Sequence, residues 1–199
     1  MRAKSKSLRL LLRILVGTII MLGGVMGALR LLFPLHYWSL LEENGNRYQI
    51  DPLLLAAVIR AESKFFPQAK SEKGALGLMQ IIPDTGAWAA SKIGLIDFEI
   101  DKLYDPAVNI QIGSWYLCQL LHEFDGQTVV ALAAYNSGRG HIRRWLESKQ
   151  LKPVGIGFRD LPYLETRSYV QKVLRNYYCY QQIYRSKEKV IGDESRNRN

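Results

Sequence analysis

Residues 56–83, AAVIRAESKFFPQAKSEKGALGLMQIIP, decide how this chain is read. The stretch begins inside a run that is apolar nearly all round: Leu53, Leu54, Leu55, Ala56, Ala57, Val58 and Ile59. Asp51-Pro52 ahead of it has the form of an N-cap with proline at the first helical position. The pattern predicts a helix over 52–63, and a helix with no polar face is a buried one. Near its end stands Glu62, an ionisable group where the pattern leaves little water. Burial raises a carboxyl pKa, and the negative end of the helix dipole acts in the same direction. A carboxylic acid still protonated near neutral pH is what a general acid needs. The other reading of these residues is a structural glutamate at a frayed helix end, paired with Arg60 or Lys64. Beyond Phe65-Phe66-Pro67 a polar loop leads into GALGLMQIIP, 74–83. Gly74 and Gly77 suit positive φ or close backbone approach, and Gln80 is the lone polar residue in an apolar run.

Working outward, a second run is apolar nearly all round. Val129, Val130, Ala131, Leu132, Ala133 and Ala134 predict a buried helix over 127–135 that turns polar at Tyr135, Asn136 and Ser137 before Gly138. Two buried helices whose C-terminal ends turn polar imply that both ends meet one cleft. The remaining elements are helical as well: 36–49, 83–92, 105–124 with a second Asp-Pro start, 140–148, and a long helix from Pro162 to about Tyr184. Trp88, Trp115 and Trp145 fall on helical core positions. Residues 93–104 and 149–160 read as irregular connections. No strand run and no internal repeat is evident, so the domain is all-α, with at most a small β-like excursion around 71–82.

These segments carry a resemblance. Glu62-Ser63-Lys64-Phe65, the GALGLMQIIP segment, Ala134-Tyr135-Asn136-Ser137-Gly138 and Leu161-Pro162-Tyr163-Leu164-Glu165-Thr166-Arg167-Ser168-Tyr169-Val170 stand in that order. Together they resemble the catalytic domain of lytic transglycosylases related to the soluble lytic transglycosylase, a goose-type lysozyme-like family. Ile82 departs from the pattern, since many members have methionine there. The resemblance implies a lysozyme-like α fold over 35–185 and cleavage of the MurNAc-β-1,4-GlcNAc bond of peptidoglycan, with 1,6-anhydro-MurNAc ends as product. It implies Glu62 as the catalytic acid, with Ser71, Gln80, Tyr135, Asn136, Glu165 and Tyr169 contacting or bordering the glycan. It requires no cofactor and no metal. From the residues alone, Tyr135 and Asn136 also fit a plain helix C-terminus, Ser71 and Gln80 fit turn hydrogen bonding, and Glu165 fits pairing with Arg167 or Arg143. A hydrolytic muramidase on the same fold, or a glycan-binding module with a vestigial site, stay as alternatives.

Charge separates the two ends of the chain. Arg2, Lys4, Lys6, Arg9, Arg13 and Arg30 are six of its 27 lysines and arginines, with no acid among the first thirty residues. The other 21 face all 18 acidic residues. The net +9 is therefore a topology signal rather than a nucleic-acid footprint. Residues 14–29 carry no charge, and with snorkelling at Arg13 the apolar segment extends over 10–33. Basic residues before it predict a membrane anchor (1–34) with the N-terminus inside and the domain extracytoplasmic; a cleavable signal peptide is the rival. The tail 186–199 is polar and reads as disordered. His36, His122 and His141 have no metal-ligand spacing. No Ser-His-Asp order, Cys-His pair or phosphate-binding glycine motif occurs. Cys118 and Cys179 read as free thiols.

Overall fold

The computed structural model describes residues 2–149 and 153–196, with side chains over 12–149 and 153–184. The all-α expectation holds: the described residues contain no strand, only isolated bridges of Leu76 with Lys70 and with Ile81. Those bridges are the small β-like excursion of the loop. Two compact units result, His36–Gln181 and a second made of residues 1–35 with 182–199.

In the smaller unit, helix α1 (Arg2–Leu32) contains a segment, Leu12–Leu32, with a mean hydropathy of 2.0 and no buried share. By length and composition it can cross a membrane. The Tyr184 hydroxyl donates to the Phe33 carbonyl at 2.8 Å.

The larger unit holds α2 (Trp38–Tyr48), α3 (Pro52–Glu62), α4 (Pro83–Ile93), α5 (Pro106–Glu123), α6 (Thr128–Ser137), α7 (Arg139–Lys149) and most of α8 (Leu164–Arg196). Helices α3, α4 and α5 open on proline, whose missing N–H costs nothing in the first turn. Asp51 and Asp105 cap two of these starts. Asp51 Oδ1 accepts from the Leu53 amide, and Asp105 Oδ1 accepts from Ala107 and Val108. Loss of such a cap costs about 1 kcal/mol.

Several boundaries differ from the sequence reading. Helix α2 starts at Trp38 rather than His36, because Tyr37 adopts a left-handed conformation with φ 58°. Short 3₁₀ turns, Ile100–Tyr104 and Phe158–Asp160, occupy stretches read as irregular; the first buries Leu103 completely. Helix α8 continues through Ser186 to Arg196, where the sequence suggested disorder. Lys187, Glu188 and Lys189 are good helix formers and no proline follows Pro162, so propensity carries the helix onward.

Helices α3 and α6 are the core. No side chain from Leu53 to Ile59 is more than 6% exposed, and Val130–Ala134 show no exposure at all. Helix α5 packs against α2, α4 and α6, and α6 against α7. Truncating Ile59 to alanine would remove fully buried methyls, at about 2–5 kcal/mol. The tryptophans are a correction: Trp88, Trp115 and Trp145 are only partly buried. Trp88 and Trp115 meet edge to face at 4.9 Å, with the Arg139 guanidinium 5.1 Å above Trp88. Their polar edges and the stacked arginine keep them at the periphery, where an amphipathic ring fits best.

Candidate active site

Helix α3 delivers Glu62 at its last helical position, with Ser63 as the C-cap. The chain then leaves through Lys64 (φ 53°) and Phe65 (φ 66°), both left-handed. A bulky residue at positive φ is strained. Burial of the Phe65 ring, 6% exposed, offsets that strain and turns the chain sharply away from the carboxyl. Neither Arg60 nor Lys64 is the partner of Glu62. The Tyr169 hydroxyl donates to Glu62 Oε1 at 2.7 Å, and the charge of Lys172 acts on it as well. Burial dominates: it lifts the carboxyl from 4.5 to about 7, against the smaller opposing effects of Tyr169 and then Lys172. Burial therefore keeps the protonated form of Glu62 available near neutral pH.

The glycine-rich loop is locked to this helix end by two buried polar residues. Ser63 Oγ donates to the Leu78 carbonyl at 2.7 Å and shares its proton with Ile59 O. Asn109, wholly buried on α5, accepts from the Met79 amide at 2.7 Å and donates to the Leu76 and Leu103 carbonyls at 3.0 and 2.7 Å. Loop backbone that would otherwise be buried without partners is thus satisfied. Gly77 (φ 76°) makes this possible: a Cβ there would lie 2.1 Å from the Leu103 carbonyl and 2.3 Å from Asn109 Nδ2. Tyr135, at the end of α6, completes the frame by donating to the Met79 carbonyl at 2.8 Å. The ends of α3 and α6 thus both bond to this loop, whereas the patterns suggested that both would meet one cleft.

A cleft of about 560 Å³ opens beside this frame, lined by Gln80, Ile82, Tyr135, Asn136 and Glu165 among others. Glu62, half-buried, is not among the lining residues; Tyr135 and Tyr169 feel its charge, and their hydroxyls are held protonated first by their own burial and then by that charge. Gln80, at φ 50°, spends its amide N–H groups on the Gly77 and Ala69 carbonyls, so its expected turn bonding and its place in the cleft coexist. Ser71 is not brought to the cleft. Its Oγ accepts from the Ala75 amide within the loop turn. Glu165 is exposed and pairs with Lys73 at 3.8 Å, not with Arg167 or Arg143. Arg143 instead pairs with Glu123, and Arg167 donates to the Leu161 carbonyl. Glu165 and Tyr169, one turn apart, thus serve different ends: one faces the cleft, the other holds Glu62.

Sequence similarity gives this arrangement a family. The model of the transglycosylase SLT domain matches residues 39–154. The chain belongs to that family. The soluble lytic murein transglycosylase of Salmonella typhimurium is 34% identical over 163 residues, which is 81% of this chain and 25% of that protein. The membrane-bound lytic murein transglycosylase C of Mannheimia succiniciproducens is 34% identical over 135 residues, 63% of this chain and 38% of that one. An inactive mutant of lytic transglycosylase Slt from Pseudomonas aeruginosa, a glutamate changed to glutamine, superposes with a TM-score of 0.69 at 33% identity, covering 77% of this chain and 25% of that chain. The chain therefore spans about a quarter of the length of its soluble SLT relatives, and the lysozyme-like helical fold is shared.

Four residues of this SLT site escaped the sequence reading. Asn109 and Ser63 clamp the loop, Lys172 acts on Glu62, and His141 lines the cleft, its Nδ1–H donating to the Ser137 carbonyl at 2.6 Å. Asn109 left a signal: it is an amide among the apolar residues of α5. Lys172 left none, because a lysine on a long helix reads as surface until its neighbours are known.

Proposed function

We propose that this chain is a peptidoglycan lytic transglycosylase that cleaves the MurNAc-β-1,4-GlcNAc bond and leaves 1,6-anhydro-MurNAc ends. One observation carries the reading: a half-buried carboxyl, Glu62, ends α3 and is held by the hydroxyl of Tyr169, with desolvation pushing its pKa up to about 7. A two-carboxylate hydrolase needs a second acid placed to act as base or nucleophile. Glu165, the other carboxylate at the cleft, is exposed and engaged with Lys73. Glu62 protonates the glycosidic oxygen as the bond to the MurNAc anomeric carbon breaks. The 2-acetamido group of the sugar shields the oxocarbenium-like centre. The Glu62 carboxylate then takes the proton of the same sugar's 6-hydroxyl, whose oxygen closes on the anomeric carbon. The acid is regenerated and no water is consumed. Tyr135, Asn136 and Gln80 would bind the glycan. That a glutamate-to-glutamine change defines the inactive Pseudomonas relative supports the central place of one glutamate.

The apolar segment Leu12–Leu32 would anchor the chain once across the cytoplasmic membrane with the SLT domain outside, as the basic leader suggests. Mass analysis of fragments released from peptidoglycan by the purified 199-residue chain tests the reaction. Anhydro ends are lighter than reducing ends by one water, and no ¹⁸O should enter from labelled solvent. The second reading, a hydrolytic muramidase, is favoured only by the presence of Glu165 at the cleft; reducing ends carrying solvent ¹⁸O would establish it.

A further inference from the structure

Helices α3 and α8 run antiparallel, joined by side chains at successive levels. Asp51 accepts from Tyr177, the Ala57 carbonyl from Asn176 at 3.4 Å, the Ala61 carbonyl from Lys172 at 2.5 Å, and Glu62 from Tyr169 at 2.7 Å. The Lys172 contact is the unusual one. Lysine ordinarily keeps its ammonium in water. Here the residue is half-buried and its Nζ donates to the carbonyl immediately before Glu62. Lys172 also stands three residues from Tyr169, on the same face of α8. One turn of α8 thus supplies both groups that hold the end of α3.

We propose that Lys172 is a positioning residue for the acid–base step: its ammonium closes the last turn of α3 and holds the Glu62 carboxyl ready both to give up a proton and to take one back. This rests on the acid–base role of Glu62 proposed above. A helix C-terminus leaves carbonyls without intrahelical partners and carries the negative end of the dipole. A carboxyl placed there, and buried, is pushed toward its neutral form from two directions. An acid pushed too far is a poor proton donor at working pH. The titratable and charged groups facing Glu62 are Tyr169 and Lys172 from α8 and Tyr135 from α6. Both tyrosines are kept neutral by burial, so of these three Lys172 alone brings charge. By binding the Ala61 carbonyl it also covers part of the negative helix end. The two effects act together to keep Glu62 near neutrality.

The test follows the Glu62 carboxyl directly, by ¹³C NMR titration of the whole 199-residue chain in detergent micelles, alongside the pH profile of kcat/KM and thermal melting. K172Q keeps a donor for the Ala61 carbonyl but removes the charge; K172R keeps both. In K172Q the Glu62 midpoint should rise by roughly 0.5 to 1 on the pH scale, less than for a fully buried pair because the lysine is partly solvated. The alkaline fall of kcat/KM should move with it while the melt stays near wild type, and K172R should restore both. A K172Q midpoint equal to wild type overturns the proposal, whether or not activity changes. A midpoint that rises while the rate profile stays fixed would uphold the hold of Lys172 on Glu62 and strike instead the acid–base reading of that glutamate.

Discussion

The end of α3 and the start of α8 each present a glutamate to the same region, and the two could hardly differ more. Glu62 is drawn out of water, held by Tyr169, and titrates at about 7. Glu165 lies in solvent with its side chain 79% exposed, and its partner Lys73 is 83% exposed. Both residues sit at helix ends. What separates them is the helix each terminates or begins. Helix α3 is buried all round, so its last residue inherits that burial; α8 starts at the surface and enters the core only at Thr166 and Tyr169. The acid is made by where the helix ends.

The sharpest way to break this contrast is to neutralise each glutamate in turn. Glu62→Gln should lower turnover by roughly 10²–10⁴-fold with the fold intact, the range of general acid–base catalysis. Glu165→Gln should lose less than about tenfold, because a screened surface charge contributes little. Equal losses with unchanged melting would make the pair a two-carboxylate hydrolase.

Stability should report the same asymmetry. The pKa of Glu62 is raised in the fold, so its favourable contribution is complete below about 4.5 and is lost as pH rises through about 7. Glutamine carries no such penalty. In denaturant titrations E62Q should match wild type at pH 4 and exceed it by up to about 3 kcal/mol at pH 8. An E62Q advantage that shrinks with rising pH would have the wrong sign for a buried acid.

Tyr169→Phe sharpens the comparison further. It deletes the 2.7 Å bond to Glu62 and leaves the ring in place. A hydrogen bond to a charged group is worth about 1.5–3 kcal/mol. Turnover at pH 7 should fall roughly tenfold, and the alkaline limb of kcat/KM should move upward, since Tyr169 opposes burial. A profile that moves down would mean the hydroxyl favours the neutral acid instead. The smallest effect belongs to Lys73→Ala: breaking an exposed 3.8 Å pair should change stability by no more than about 0.5 kcal/mol, read from the melting transition.

Much of this contrast was legible in the chain. The apolar runs 53–59 and 129–134 announced two buried helices, and the polar residues at their ends announced where they surface. Helix starts at Asp51-Pro52 and Asp105-Pro106 were fixed by local chemistry, which needs no tertiary context. Partners across the fold were not legible. Tyr169 lies 107 residues from Glu62, and Asn109 lies 30 from the Met79 amide it accepts from. Nothing local encodes such a distance, so near neighbours stood as the pairing candidates: Arg60 and Lys64 for Glu62, Arg167 and Arg143 for Glu165. Ser71 shows the converse limit: family position suggested the cleft, whereas its hydroxyl is occupied by the loop's own backbone.

The most direct measurement is the titration of the Glu62 carboxyl, with glutamate labelled at the side-chain carbonyl carbon and the Glu62 signal assigned by its loss in E62Q. A Glu62 midpoint near 7 is the result expected if burial at the end of α3 makes the acid. A midpoint in the ordinary carboxylate range would contradict it, for Glu62 would then be ionised before any glycan arrived.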